Sequence, residues 1–168
     1  MRRIDYQRLY EWSFSRERLI SAMRIISVPA VAAVVVAFVV FVARSALVYS
    51  LPRALTVLAV SGIPFLLVSL LRRLLGAKRP HELIDLEALP RHGCGDSFPS
   101  RHAFSAFHIG ALILPELPVL GAAVLLLGVY ISLSRVLLGI HFIRDVLAGA
   151  ITGVATGIIG AVCIYFFA

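Results

Sequence analysis

Residues 25–48 read IISVPAVAAVVVAFVVFVARSALV, a run whose one charged side chain is Arg44. About 20 predominantly apolar residues, rising 1.5 Å each, cross the ~30 Å hydrocarbon core of a bilayer. The stretch therefore predicts a transmembrane helix. Residues 51–75, LPRALTVLAVSGIPFLLVSLLRRLL, repeat the pattern and keep Arg53, Arg72 and Arg73 to their ends. Three further apolar segments follow, near 100–114, 119–138 and 141–167, and the prolines of Pro115-Glu-Leu-Pro118 turn the chain after the short third one. Hydrophobic residues make up 60% of the 168, against roughly 45–50% in soluble proteins. A soluble domain of this size has no interior large enough to bury them.

The predicted fold class is thus all-α: an integral membrane helical bundle of about five transmembrane helices, forming one domain over residues 1–168. Residues 22–168 are its membrane core. Residues 1–21 mix Arg2, Arg3, Arg8, Arg16 and Arg18 with Ile4, Tyr6, Leu9, Trp12, Phe14 and Leu19. That mixture predicts an amphipathic helix at the interface, with Trp12 at headgroup depth; a frayed tail is the alternative. No cleavable signal is expected, because the first 20 residues lack a continuous apolar core.

The net charge is +7, from 16 Lys+Arg against 9 Asp+Glu, and Lys78 is the one lysine. No soluble nucleic-acid module is visible, so anionic lipid headgroups and phosphate are the expected partners. Arginine suits phosphate because its planar fork donates two parallel hydrogen bonds. Of the two cysteines, Cys163 lies about 33 Å along the last segment if that helix begins near His141. A disulfide to Cys94, in the polar loop, is not expected.

Short turns make neighbouring segments antiparallel. The ends of the second and fourth segments and the starts of the third and fifth then share one membrane face. That face collects Arg72, Arg79, Ser100, His102, Ser134, Arg135, His141 and Asp145, whereas the opposite face holds Arg44, Arg53 and Glu116.

Three clusters on the polar face carry chemistry. In Ser134-Arg135-x5-His141-x3-Asp145, the histidine and aspartate are four apart and meet on one helical face. A carboxylate on one imidazole nitrogen fixes the tautomer and leaves the other free to attack. Arg135, across the Gly139 turn, can clamp an anion. In Pro99-Ser100-Arg101-His102, Ser100 falls where a helix begins. Free backbone N–H groups there suit a phosphate, with His102 in the first turn to protonate a leaving oxygen. In Arg72-x6-Arg79-Pro80, the two arginines are nearly two turns apart and share a face until Pro80 stops the helix. Taken singly, each cluster has a structural reading: an ion pair snorkelling at a helix end, a capping serine, or a basic flank.

Together, the three resemble the signature motifs of the type-2 phosphatidate phosphatase, or lipid phosphate phosphatase, superfamily: Lys-x6-Arg-Pro, Pro-Ser-Gly-His and Ser-Arg-x5-His-x3-Asp. Order, spacing and membrane placement agree across residues 72–145. The resemblance implies a metal-independent, cofactor-free lipid phosphatase working through a phosphohistidine. It implies His141 as nucleophile, Asp145 orienting it, and His102 as general acid, with Arg72, Arg79, Ser100 and Arg135 on the phosphate. Two positions depart from the pattern. Arg72 stands for lysine, and Arg101 stands for glycine, where it adds a cation to the phosphate site or points to lipid headgroups.

The residues also lack the Asp/Glu cluster of a two-metal phosphatase. Glu82, Asp85 and Glu87 have no histidine partners at ligand spacing. His81, His92 and His108 receive no role, and His108 reads as a packing or interfacial residue. Gly149, Gly153 and Gly157 form an i+4 ridge that lets helices approach closely. A small anion transporter is the alternative function, although no internal repeat accompanies it.

The expected substrate is a polyprenyl pyrophosphate or a glycerolipid phosphate at a multi-pass cell-membrane site. The polar face carries 14 of the 16 Lys+Arg, which favours a cytoplasmic site; the family resemblance favours an extracytoplasmic one.

Overall fold

A computed structural model describes residues 3–84 and 95–167, with side chains over 5–84 and 95–166. Asp85, Glu87, His92 and Cys94 lie outside those residues. The described chain is helical throughout, without strands: α1 (Arg3–Phe14), α2 (Glu17–Arg44), α3 (Leu51–Leu75), α4 (Pro80–Leu83), α5 (Arg101–Ile113), α6 (Pro118–Leu137) and α7 (Ile143–Phe167).

α2, α3, α6 and α7 are each long and apolar enough to cross a membrane. Their outward residues, such as Val28, Val35, Leu66, Leu126 and Ile151, are exposed apolar side chains, the pattern of a lipid-facing surface. α5 differs: its 13 residues span about 20 Å, less than the hydrocarbon core. Residues 95–99 precede it on the polar side, where the Ser97 N–H donates to the Ala77 carbonyl at 2.8 Å. Five segments are present as expected, but the third is a short central helix enclosed by the others.

Small residues place it there. A Cβ added to Gly149, Gly153 or Gly157 of α7 would lie 2.5 Å from the carbonyl oxygens of Ser100, Phe104 and His108 respectively. Three successive turns of α7 thus rest on the backbone of α5, the close approach that small residues at i+4 permit. Gly128 of α6 gives a similar approach, at 3.3 Å to the side chains of Ala106 and Phe107. His108, buried on α5, joins two neighbours: Nδ1 is 2.9 Å from the Thr156 hydroxyl of α7 and Nε2 is 3.2 Å from the Ser61 hydroxyl of α3. It is a polar pin inside the bundle, in line with its packing role.

Local signals end the helices where physics requires. Ser50 caps α3, accepting from Arg53 N–H at 3.2 Å. Gly76, at φ +52°, closes α3 in the left-handed conformation, its N–H on the Arg72 carbonyl. This corrects the expectation that the helix runs to Pro80: Arg79 lies beyond it and leads into α4. The N-terminal region also differs from a single helix over 1–21. It breaks at Ser15–Arg16, and residues 17–21 already belong to the first span. α1 is therefore free to turn Tyr6, Tyr10 and Ser13 inward while Trp12 stays half exposed with the Arg16 guanidinium 4.4 Å over its ring.

At the opposite end, Glu116 in the α5–α6 turn pairs with Arg44 at 3.3 Å and with Arg53, both arginines lying over Tyr49. This cluster pins the turn against α2 and α3.

Candidate active site

His141 and Asp145 meet, but not on one helical face. α6 ends at Leu137, and Gly139, at φ +67°, reverses the chain. The Arg135 carbonyl then accepts from the N–H groups of both Ile140 and His141, at 3.0 and 3.1 Å. His141 sits in this turn, two residues before α7. Asp145, the third residue of α7, reaches back to accept from Phe142 N–H at 3.0 Å. This is the back-reaching half of a capping box. The same oxygen, Oδ2, lies 3.6 Å from His141 Nδ1. The aspartate that orients the histidine therefore also starts the helix.

Ser97, a residue the sequence reading passed over, completes the arrangement. Fully buried, it donates from Oγ to Asp145 Oδ2 at 2.5 Å and lies 3.4 Å from His141 Nδ1. Two groups thus converge on the Nδ1 side of the imidazole, and no described residue hydrogen-bonds Nε2. A serine one residue before Phe98-Pro99 has no periodicity to mark it; only the fold brings it to a partner 48 positions away.

Ser100 occupies the N-cap of α5 as expected, its Oγ 3.5 Å from Ala103 N–H. Its own N–H donates to the Asp145 carbonyl at 2.9 Å, locking the start of α5 to the start of α7. His102, in the first turn of α5, is exposed and lies within electrostatic reach of His141, Arg135, Arg101 and Arg72.

The cations arrange themselves around this centre. Arg72 is buried and forks onto the carbonyls of Pro99, at 3.1 Å, and Asp96. Arg79 donates from Nε to the Gly95 carbonyl at 3.0 Å, while Glu82 accepts from the N–H groups of Arg79 and Gly95. The first motif therefore grips the loop of the second, each arginine retaining further N–H donors. Arg135 buries its Nε without a hydrogen-bond partner among the described residues. Arg101 is exposed beside His102. No group of three or more His, Cys, Asp or Glu is placed for a metal ion among the described residues.

Electrostatics at His141 follow from this packing. Burial pushes its imidazole down from the ordinary value; Asp145 opposes that, Arg79 and Arg72 add to it, and the net shift is downward. The neutral form is therefore the resting state at neutral pH.

A groove of about 370 Å³ runs from His102 and Arg101 along α5, walled by Val31, Val34, Val35, Phe65, Ile109 and Ile131. Its mouth is cationic and its walls are apolar.

Comparisons with known proteins agree with this architecture. A family model described as the PAP2 superfamily matches residues 53–167. The chain is 31% identical over 101 residues to the bacitracin transport permease protein BcrC of Bacillus licheniformis, covering 57% of this chain and 50% of that one. It therefore spans about half the length of that relative. Among solved structures, it is similar to the transmembrane PAP2-type phosphatidylglycerolphosphate phosphatase of Bacillus subtilis. There the TM-score is 0.74 at 22% identity, over 98% of this chain and 86% of the other. It is also similar to Aquifex aeolicus LpxE, with a TM-score of 0.61 at 24% identity over 85% and 92%. At those identities the likeness is one of fold.

Proposed function

The chain belongs to the PAP2 superfamily, and from that premise we propose that it is a membrane lipid phosphatase with His141 as its nucleophile. The observation that carries this reading is the Ser97–Asp145–His141 arrangement: two groups on Nδ1, themselves joined by a hydrogen bond, none on Nε2 among the described residues, and arginines around it. A hydrogen on Nδ1 directed at the Asp145–Ser97 pair leaves the Nε2 lone pair to attack phosphorus.

In the first step the Nε2–P bond forms as the P–O bond to the lipid breaks, and His102 gives its proton to the departing oxygen. Asp145 stabilises the positive charge that develops on His141. Arg79, Arg135, Arg72 and the α5 N-terminus at Ser100 stabilise the equatorial phosphoryl oxygens. In the second step water attacks the phosphohistidine, His102 now accepts the water proton, and phosphate leaves with Nε2 restored. The arginines supply the charge neutralisation that a metal pair supplies elsewhere. Arg101 adds a cation at the groove mouth.

The groove supports a lipid as substrate: an apolar chain lies along Val31, Val34 and Phe65 while its phosphate meets the cations at the mouth. Polyprenyl pyrophosphates and glycerolipid phosphates both fit that description, and the similarity to a phosphatidylglycerolphosphate phosphatase makes the glycerolipid class the first to assay.

The name of the Bacillus licheniformis relative speaks of transport, which keeps an anion-transport reading in view. Phosphate release by the purified protein from a micellar lipid phosphate separates the two. Release that disappears in His141→Ala supports the phosphatase. Residual activity above a tenth of wild type removes His141 as nucleophile, and anion flux in vesicles without phosphate release favours the transporter.

A further inference from the structure

α1 is built into the underside of the active-site turn. Ser13 Oγ donates to the carbonyl of Leu137, the last residue of α6, at 3.1 Å. The Tyr6 ring meets the Phe142 ring edge-on, with centroids 4.9 Å apart. Tyr10 is fully buried in the same cluster, with Ile84 and Phe142. Phe142 is the residue whose N–H holds Asp145 Oδ2, so the tyrosines of α1 pack against the clamp on the catalytic pair.

The Tyr10 hydroxyl and Asp145 Oδ1 are both buried without a hydrogen-bond partner among the described residues. They are chemically complementary, one a donor and the other half of a carboxylate. The cation beside Oδ1 is Arg144, whose Nε is 3.5 Å away on a largely exposed side chain. Burial, Tyr6 and the charge of Asp145 each raise the pKa of the Tyr10 phenol, so it stays protonated and able to donate. Buried donors and acceptors are rarely left unpaired in folded proteins.

We propose that Tyr10 is a positioning residue of the active site: its hydroxyl donates to Asp145 Oδ1 through one bridging water. Ser97, Phe142 and His141 all address Oδ2, while the described cation beside Oδ1 is the largely exposed Arg144. A donor on Oδ1 holds the second oxygen as well, and with it the orientation of the carboxylate that faces the imidazole. The N-terminal helix, outside the three motifs, then completes the shell around His141. The proposal rests on the reading of His141 as nucleophile for its catalytic consequence, but not for the contact itself.

The test is a pair of hydroxyl deletions, Tyr10→Phe and Tyr6→Phe, which keep both rings and the packing. The first readout is the titration of His141, followed by NMR of ¹⁵N-histidine-labelled full-length protein in detergent micelles. The groups facing that imidazole are Asp145 of α7, Arg72 of α3, Arg79 before α4 and His102 of α5; Tyr10 itself faces Tyr6 and Asp145. Without the hydroxyl, less of the carboxylate charge is dispersed and the protonated imidazole is favoured. The His141 pKa should rise by about half a unit or more in Tyr10→Phe and stay unchanged in Tyr6→Phe. An unmoved His141 titration in a Tyr10→Phe protein that melts as wild type overturns the proposal, whatever the activity. The second readout is kcat and KM for phosphate release. A roughly three- to tenfold loss in kcat with KM unchanged supports positioning of the nucleophile. A shifted titration with unchanged kcat leaves the Tyr10–Asp145 contact standing and counts against His141 as the nucleophile.

Discussion

At the scale of single residues, the site is a set of hydrogen bonds with unequal jobs. Ser97→Ala removes a donor to an ionised oxygen, a contact worth about 1.5–3 kcal/mol. It should lower kcat by roughly 10- to 100-fold, with a modest fall in melting temperature. Arg72 sits where the family has lysine, and its fork spans the Pro99 and Asp96 carbonyls. Lysine keeps the charge but cannot bridge both acceptors, so Arg72→Lys should be folded and partly active. Arg72→Ala should cost about 2–4 kcal/mol in transition-state stabilisation, read as kcat/KM. The exposed neighbour Arg73 should tolerate alanine; damage at Arg73 and not at Arg72 would mean that the first motif is misaligned by one residue. The depressed pKa of His141 sets the acid side of the pH profile. With His141 as the proposed nucleophile the neutral base is needed, so the acid limb of the profile lies below the ordinary histidine value of ~6.5. The same sign holds for stability: the contribution from a neutral buried His141 is complete above ~6.5 and is lost as pH drops toward the folded value. A kcat/KM profile, corrected for substrate ionisation, with its acid midpoint above 6.5 would contradict this.

Between elements, the α5–α7 seam holds the chemistry in register. Ser100 and Asp145 share a backbone hydrogen bond, and the three glycines of α7 set the distance between the axes. Gly153→Ala places a methyl group 2.5 Å from the Phe104 carbonyl and 3.0 Å from the His108 nitrogen. Both are backbone atoms that cannot swing aside, so about 1–3 kcal/mol of overpacking is expected. That is a clear fall in melting temperature, together with lost activity because the two helices carry His102 and Asp145. Gly62→Ala, where nothing lies within 4 Å, should be neutral or slightly stabilising and serves as the control. The glycine ridge was readable from its i+4 spacing, and so was the cap at Ser100; the cap at Ser50 was not read. What could not be read was the termination at Gly76, where an Arg-x6-Arg spacing looks helical until the left-handed glycine intervenes. The short reach of α5 was legible too, since Ser100 marks its start and a proline turn its far end.

For the whole molecule, the spans, their antiparallel order and the polar face were all legible, because apolar length and charge placement are properties of the chain itself. The pairing of His141 with Asp145 was legible too, through a spacing of four, although the turn at Gly139 and not a helix creates it. Ser97 and Tyr10 were not legible. Their roles depend on tertiary contacts to residues 48 and about 130 positions away in sequence, and neither position differs locally from any loop serine or interfacial tyrosine. On the proposed mechanism, in which arginines neutralise the phosphoryl charge, turnover should survive EDTA and be blocked by vanadate, a mimic of the trigonal-bipyramidal phosphoryl group. Inhibition by EDTA reversed by Mg²⁺ would instead assign the charge neutralisation to a metal. The most direct measurement is to trap the intermediate. His102→Ala, given an activated aryl phosphate that needs no general acid, should form the phosphohistidine normally but hydrolyse it slowly. Rapid quench into base followed by peptide mapping should then find an acid-labile, base-stable phosphate on the peptide containing His141, close to one per chain, and none in His102→Ala/His141→Ala. Phosphate on any other residue, or full turnover with no labelled protein at any quench time, would contradict it.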